Sequence, residues 1–341
     1  MHACYDLVAE IPTPSVEGVK AVAQAYCDVG MRAVVAPMMA DTTFYRAIPG
    51  LIESMPPGLR EKAEAVRAAP YDVSLATCRI GVHMHVAESK VQAVVGPRKF
   101  GTTLVGHLRK LGLIAPNFTA AHAIWIDDDD VARLADAGAS VAHNPGSNMK
   151  LGSGLAAARK MRDRGITIGI GTDGCQSSDN QNVFEAMRMA AFVSRVQGPD
   201  PRQWLSAEEA FEAATKGGAR ALGMENLIGQ LAPGFKADVV FLDLTSINYV
   251  PLNEPLYHVV FVEDGTGVDR VMVGGRMLVE EGKVLGVDMI KLAAEANAAT
   301  KHLAKVNAAA REFVRAFEPV VLDYCVGLAR EPYHVHQWCG H

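Results

Sequence analysis

The chain has no C-x-x-C pair; its six cysteines, Cys4, Cys27, Cys78, Cys175, Cys325 and Cys339, are scattered. That excludes a zinc knuckle and a dithiol redox motif, and it reads as reduced thiols in a cytosol. Basic excess is lacking too, since 33 Lys and Arg stand against 38 Asp and Glu for a formal charge of -5, with a pI near 6.1. A nucleic-acid footprint or a polybasic membrane patch needs clustered cations, so neither partner is expected. No apolar run approaches the ~20 residues of a membrane span. The opening Met1-His2-Ala3-Cys4 lacks the basic-then-apolar order of a secretory signal. The expectation is a cytoplasmic globular protein acting on a small molecule. Its 341 residues at 49% hydrophobic content suffice for one large core and a smaller one.

What is present is an alternation of strands and helices. Ala3 to Val8 is a possible strand; Ser15 can cap a helix from Val16 to Val29 that Gly30 ends, and Arg32 to Pro37 follows as a strand. Further helices are expected at Leu59 to Ala69, Gly101 to Leu111, Asp127 to Ala137, Leu155 to Arg164, Val183 to Val196 and Ala207 to Leu222. Ser206 and Glu209 form a capping box for the last of these. The run Asp127 to Asp130 suits the positive end of a helix, and it lacks the spaced Gly and distal Glu of a calcium loop. Such alternation is the mark of a parallel sheet with crossover helices, either an α/β barrel or an open doubly wound sheet. After Met224 the pattern turns to strands and turns, at Ile228 to Leu231, Ala237 to Leu244, Val259 to Val262, Val268 to Val273, Arg276 to Val279 and Lys283 to Leu285. From Asp288 to Leu328 Ala-rich helical spacing resumes. The expected division is a barrel over 1–225, a small β module over 226–288 and a helical extension over 289–341.

The chemistry gathers between Ile80 and Gly174. Short apolar runs there, expected to be buried on both faces, each end in a residue able to bind a metal: His85, His122, His143 and Asp173. At the carboxyl ends of parallel strands such side chains converge, and imidazole plus carboxylate suits a divalent ion with one position left to water. His83 and His85 face the same side of a strand, with His85 nearer the edge. Glu88, three residues further on, stands where a carboxylate can shuttle a proton without being a ligand.

Five segments carry a resemblance: H-x-H-V-A-E-S at His83 to Ser89, A-H-A at Ala121 to Ala123, A-H-N-P-G-S-N-M-K-L-G-S-G at Ala142 to Gly154, G-T-D-G at Gly171 to Gly174 and I-G-Q-L-A-P-G-F-K-A-D at Ile228 to Asp238. In this order they resemble the amidohydrolase superfamily, and more narrowly its aminohydrolase and chlorohydrolase branch. The resemblance implies a TIM-like (β/α)8 metal-dependent hydrolase barrel with a small β-sandwich and C-terminal helices. It implies one divalent metal, zinc with iron as the alternative, bound by His85, His122 and Asp173. Catalytic roles fall to Glu88 as proton shuttle, to Asp173 as ligand and base, and to His122 as ligand or substrate polariser. His143, Asn148, Asp179 and Asn182 would meet substrate, with Lys150 shaping a loop. The implied reaction is hydrolysis of a non-peptide carbon–nitrogen bond, the deamination of an amino-substituted heterocycle by attack of metal-bound hydroxide. The nucleobase-editing zinc deaminases are set aside because their H-x-E with P-C-x-x-C signature is missing.

The chain departs from that pattern at two places. No H-x-H precedes Tyr5, so the ligand pair of the family's first strand has no counterpart, and Tyr71 to Arg79 is too short for the fourth strand with its crossover. One reading is that a longer natural chain supplies the missing pieces, favoured because the remaining motifs keep their ligand types. The alternative is a non-catalytic or incomplete relative of the same fold. His334 and His336 form the only other H-x-H, which a permuted tail would bring into the gap. Unpaired sheet edges would favour pairing with another chain, hence a homo-oligomer.

Overall fold

A computed structural model of the chain describes residues 3–8, 15–38, 42–66 and 81–338. The expected gap around Tyr71 to Arg79 lies outside the described residues. The chain divides into two compact units: Met1–Tyr5, Ala76–Lys283 and Pro332–His341 form one, and Asp6–Leu75 with Val284–Glu331 form the other.

The first unit is built on a parallel sheet of β3 (Val82–Val86), β4 (Phe118–His122), β5 (Ser140–His143) and β6 (Thr167–Ile170), in that spatial order. β1 (Ala3–Val8) and β2 (Arg32–Pro37) pair separately. Register places Val86 beside His122, Ala121 beside Ala142, and His143 beside Ile170. The four strands therefore end level, and whatever follows these residues is delivered to one edge. β4 is buried throughout, as a strand covered on both faces must be. The same expectation for β3 fails: Val82 and Met84 are each 37% exposed. β3 stands at one edge of the four, so the first part of this face is left uncovered and only Val86, at the strand's end, enters the core cluster.

The crossover helices between β3 and β4 and between β4 and β5 start on side-chain caps, which satisfy amides the helix itself cannot. Ser89 caps Lys90–Phe100, Thr103 caps Leu104–Lys110 and Asp127 caps Asp128–Asp136. Around the sheet Phe118, Ile124, Trp125, Leu134, Val141, Met161 and Ile168 form one buried cluster. The helix expected from Ala207 to Leu222 contains a wider turn at Ala213–Gly217. There a Cβ on Gly217 would overlap the Ile168 carbonyl of β6, so glycine is what lets helix and strand backbones touch.

The β module is an antiparallel sheet in the order β10-β9-β8-β7, comprising β7 (Val239–Leu242), β8 (Val268–Val273), β9 (Arg276–Glu280) and β10 (Lys283–Val284). Gly274 and Gly275, at φ 59 and 83, make the β8–β9 turn, where two left-handed residues match the twist of the strands. Two strand expectations fail. Ile228 to Leu231 is bend and irregular chain, its Gly229 at φ 96. Val259 to Val262 lies in a helical turn, His258–Val262, with Val260 buried against Met187, Ala191 and Ala207. An apolar run of that length cannot tell a buried helix from a strand.

In the second unit the helix Val16–Val29 is capped by Ser15 and stopped by left-handed Gly30, as the sequence led one to expect. Tyr26 donates to Asp6 at 2.8 Å. The long helices Met289–Val306 and Ala308–Arg330 follow; Phe317 is buried against Tyr45, and the Tyr324 hydroxyl donates to the Pro49 carbonyl at 2.6 Å. No helix among the described residues is long and apolar enough to cross a membrane.

Candidate functional site

At the level edge of the parallel sheet the backbone turns left-handed at residues that are not glycine: Ala87 after β3 (φ 47), His122 and Ala123 closing β4 (φ 69 and 47) and Asp173 after β6 (φ 58). Each costs of the order of 1–3 kcal/mol, and such strain persists only where surrounding contacts over-determine it. The contacts are visible. The Ala123 amide donates to the Val86 carbonyl at 3.1 Å and the Trp125 amide to the Ala87 carbonyl at 2.9 Å, which stitches the exits of β3 and β4 together.

His122 is the centre of the arrangement. It is 1% exposed, and its Nδ1 lies 2.8 Å from Asn148 Oδ1. An amide oxygen only accepts, so Nδ1 donates this bond and Nε2 is the ring nitrogen turned towards the sheet edge. Nε2 stands 3.9 Å from Glu88 Oε1 and 3.9 Å from Asp173 Oδ2, too long for direct hydrogen bonds and wide enough for a third atom between. Asp173 is fixed from both sides: Ser147 Oγ donates to Oδ2 at 2.6 Å and the Gly174 amide to Oδ1 at 2.6 Å. Ser147 and Asn148 both sit on the short helix Pro145–Lys150, which starts on Pro145 directly after β5 and so needs no amide at that position.

His85 stacks on His122 with ring centroids 5.4 Å apart. Burial, then His122, hold its imidazole below the usual value, with Glu88 and Asp173 acting the other way. His83 packs on Tyr5 at 4.5 Å; burial, then His85 and His122, lower it to about 4. His143 is fully enclosed, lowered to about 4 by burial and then by His122, and neither of its ring nitrogens has a hydrogen-bond partner among the described residues. These are neutral imidazoles at physiological pH, which is the form that can bind a cation.

The structure thus brings together His85, Glu88, His122, Asn148 and Asp173. Asp179 and Asn182 stand in other company. Asp179 pairs with Lys150 at 2.5 Å, while Asn182 caps the helix Val183–Arg195 through Oδ1 and donates through Nδ2 to the Asp264 carbonyl at 2.6 Å. His334 lies 3.0 Å from Asp127, on a helix cap. Among the described residues no three His, Cys, Asp or Glu side chains converge closely enough to hold an ion by themselves. The donor chemistry fits part of a metal shell: one imidazole anchored through its far nitrogen, two carboxylates facing it, and buried imidazole nitrogens on His83 and His143 with no other partner.

Sequence reasoning missed Ser147, although it lies inside the segment read around Asn148. It also missed Gln92, whose Oε1 accepts from the Glu88 amide at 2.8 Å. Helical spacing was the available signal for Gln92, since it sits four residues beyond Glu88.

Solved structures share this arrangement of sheet and helices. An adenosine deaminase from Xanthomonas campestris with bound zinc superposes with a TM-score of 0.71 at 25% identity, covering 84% of this chain and 70% of that one. An atrazine chlorohydrolase from Arthrobacter aurescens complexed with zinc does so with a TM-score of 0.73 at 26% identity, covering 87% and 72%. The protein therefore has the TIM-like α/β fold of metal-dependent hydrolases, with C-terminal helices. It belongs to the amidohydrolase family, which matches residues 5–278. A 5'-deoxyadenosine deaminase from Methanosarcina mazei is 36% identical over 228 residues, 67% of this chain and 52% of that protein. A 5-methylthioadenosine/S-adenosylhomocysteine deaminase from Nitratidesulfovibrio vulgaris is 40% identical over 214 residues, 63% and 48% respectively. The chain spans about half the length of these relatives.

Proposed function

We propose that the protein acts in the hydrolytic deamination of an adenosine derivative, water replacing the amino group on the purine ring with release of ammonia. The observation that carries this reading is the setting of His122, with Nδ1 bonded to Asn148 and Nε2 3.9 Å from each of Glu88 and Asp173. The names of the relatives supply the substrate class.

In this reading His85, His122 and Asp173 would be part of the shell of a divalent ion, whose chemistry when bound would be to acidify a water towards a pKa of ~7. Glu88, 21% exposed on its side chain, takes the proton of the attacking water and passes it to the departing amino nitrogen, so that one carboxyl serves both transfers. Asp173, held by Ser147 and the Gly174 amide, keeps its oxygens aimed at the same point. His122 presents Nε2, because the bond from Nδ1 to Asn148 fixes the orientation of its ring. His143 and Asn148 line the enclosed side of the substrate pocket, while Asp179 and Asn182, tied to Lys150 and to the Asp264 carbonyl, would shape the loop on its outer side rather than meet substrate. Zinc rather than iron, a homo-oligomeric state and the three-part division at residues 1–225, 226–288 and 289–341 belong to the same reading.

The test is ammonia release from 5'-deoxyadenosine by the zinc-supplemented protein. The expected result is turnover that falls ~10²-fold or more in Glu88→Gln while bound zinc per chain is unchanged. Equal turnover in the two proteins would remove Glu88 from the reaction.

A further inference from the structure

We propose that the carboxyl-terminal strap, Tyr333 to Trp338, is a positioning element for the candidate site, acting through the loop at 151–155 on the helix that carries Ser147 and Asn148. It rests on the reading of that site given above. The Trp338 indole donates to the Gly152 carbonyl at 3.1 Å, and the Leu155 amide donates to the Gln337 carbonyl at 2.6 Å. The Trp338 ring meets Trp125 edge-on, centroids 4.8 Å apart, and Trp125 donates its own indole proton to the Ser153 carbonyl at 2.6 Å. Two indoles thus take two consecutive carbonyls. The Lys90 ammonium lies 5.9 Å from one ring and 5.5 Å from the other, at cation–π range.

Gly154 is the residue that admits the strap. It stands at φ 120, and a Cβ there would come 3.0 Å from the Gln337 carbonyl and 3.1 Å from Ile124. The pinned loop is continuous with the helix Pro145–Lys150. The Leu151 amide donates to the Ser147 carbonyl and the Ser153 amide to the Asn148 carbonyl, both at 2.9 Å. The residues whose side chains hold Asp173 and His122 are therefore the same residues whose backbones the strapped loop grips.

Tyr333 packs on the core cluster, as a segment docked for packing would, yet Trp338 remains 46% exposed. What it contributes is directional: one hydrogen bond and one ring edge, both aimed at the loop and at Trp125. Ordering the six residues 333–338 costs backbone entropy that a half-exposed ring offsets poorly, so the strap's contacts matter most where they are local.

The experiment compares Trp338→Ala and Trp338→Phe in the full chain by amide hydrogen exchange, by the NMR signal of the His122 ring N–H, and by kcat and KM for ammonia release. Trp338→Ala should speed exchange at Leu151, Ser153 and Leu155 ~10-fold, the equivalent of about 1.4 kcal/mol, and leave the β8–β9 hairpin unchanged. It should broaden the His122 ring proton and lower kcat several-fold at constant KM. Trp338→Phe keeps the ring edge on Trp125 but loses the hydrogen bond to the Gly152 carbonyl, so it should speed exchange at the same three amides and broaden the His122 proton, each to a smaller degree than Trp338→Ala. Unchanged exchange at the three amides overturns the proposal. So does faster exchange with an unaltered His122 proton and kcat, which would make the strap a packed end only. A wild-type protein that releases no ammonia defeats the deaminase reading alone, because exchange and the ring proton still decide this one; if the alanine variant does not fold, the phenylalanine variant decides it.

Discussion

Replacing Asn148 with alanine tests whether His122 is held for a purpose. Both residues are 1% exposed, and the only polar group that meets His122 Nδ1 among the described residues is Asn148 Oδ1 at 2.8 Å. Truncation leaves a buried ring N–H without an acceptor, at a cost of about 1–3 kcal/mol. Asn148 Nδ2 is itself buried without a partner, so the substitution also removes one unmet donor. The expected loss is accordingly in the lower half of that range, about 1–2 kcal/mol, read as a lower urea midpoint at unchanged slope. The second consequence is functional. Without its acceptor the ring is free to change tautomer and to turn Nε2 away from Glu88 and Asp173, and losing such an outer partner typically weakens metal binding ~10–100-fold. Competition with a chromophoric zinc chelator measures that term separately from unfolding. A variant that keeps both the wild-type urea midpoint and the wild-type zinc affinity would refute the argument.

Three further outcomes follow from the same geometry. Ser147→Ala removes the hydroxyl bonded to Asp173, a hydrogen bond to a charged group worth ~1.5–3 kcal/mol; zinc affinity should fall while the second unit keeps its wild-type exchange rates. Gly217→Ala sets a Cβ against the Ile168 carbonyl, backbone against backbone with no rotamer to yield, so unfolding free energy should drop by about 3 kcal/mol or more; a wild-type midpoint would show that the helix does not lie against β6. Asp130 is buried, and desolvation raises its carboxyl above the ordinary value against the opposing bonds from Thr103 and Arg133. A raised folded pKa means the native state binds the proton more tightly than the unfolded chain, so wild type should gain stability relative to Asp130→Asn as pH falls from 7 towards 4, and lose that gain as pH rises. Parallel urea curves for the two proteins at both pH values would contradict the burial assigned to this carboxylate.

The sheet edge was legible because local sequence and tertiary context agree there. β4 and β5 lie at Phe118–His122 and Ser140–His143, where apolar runs meet a polar stop, and the convergence of His85, His122 and Asp173 follows from parallel strands ending level. The exposure of Val82 and Met84 was not legible, because a strand's own residues do not say which neighbour covers it. Val259 to Val262 was misread for a related reason: four apolar residues carry no period, and their helical turn is decided by Met187 and Ala207 on other helices. The short helix Pro145–Lys150 begins on Pro145 and Gly146, residues that signal a turn, so the support of Asp173 by Ser147 stayed hidden inside a recognised segment. Nor did side-chain type reveal that Asn182 has both ends occupied by backbone partners.

The left-handed residues at the strand exits bear on how this chain tolerates change over generations. At Ala87 and Ala123 a glycine would relieve roughly 1–2 kcal/mol of Cβ strain, while its freer unfolded chain would return about 0.4–1 kcal/mol of that. The balance is small and tilts towards glycine, so a screen that rewards thermal survival alone should drift to glycine at both positions. Alanine at these two positions instead restricts the rim to fewer backbone shapes, at a small cost in stability.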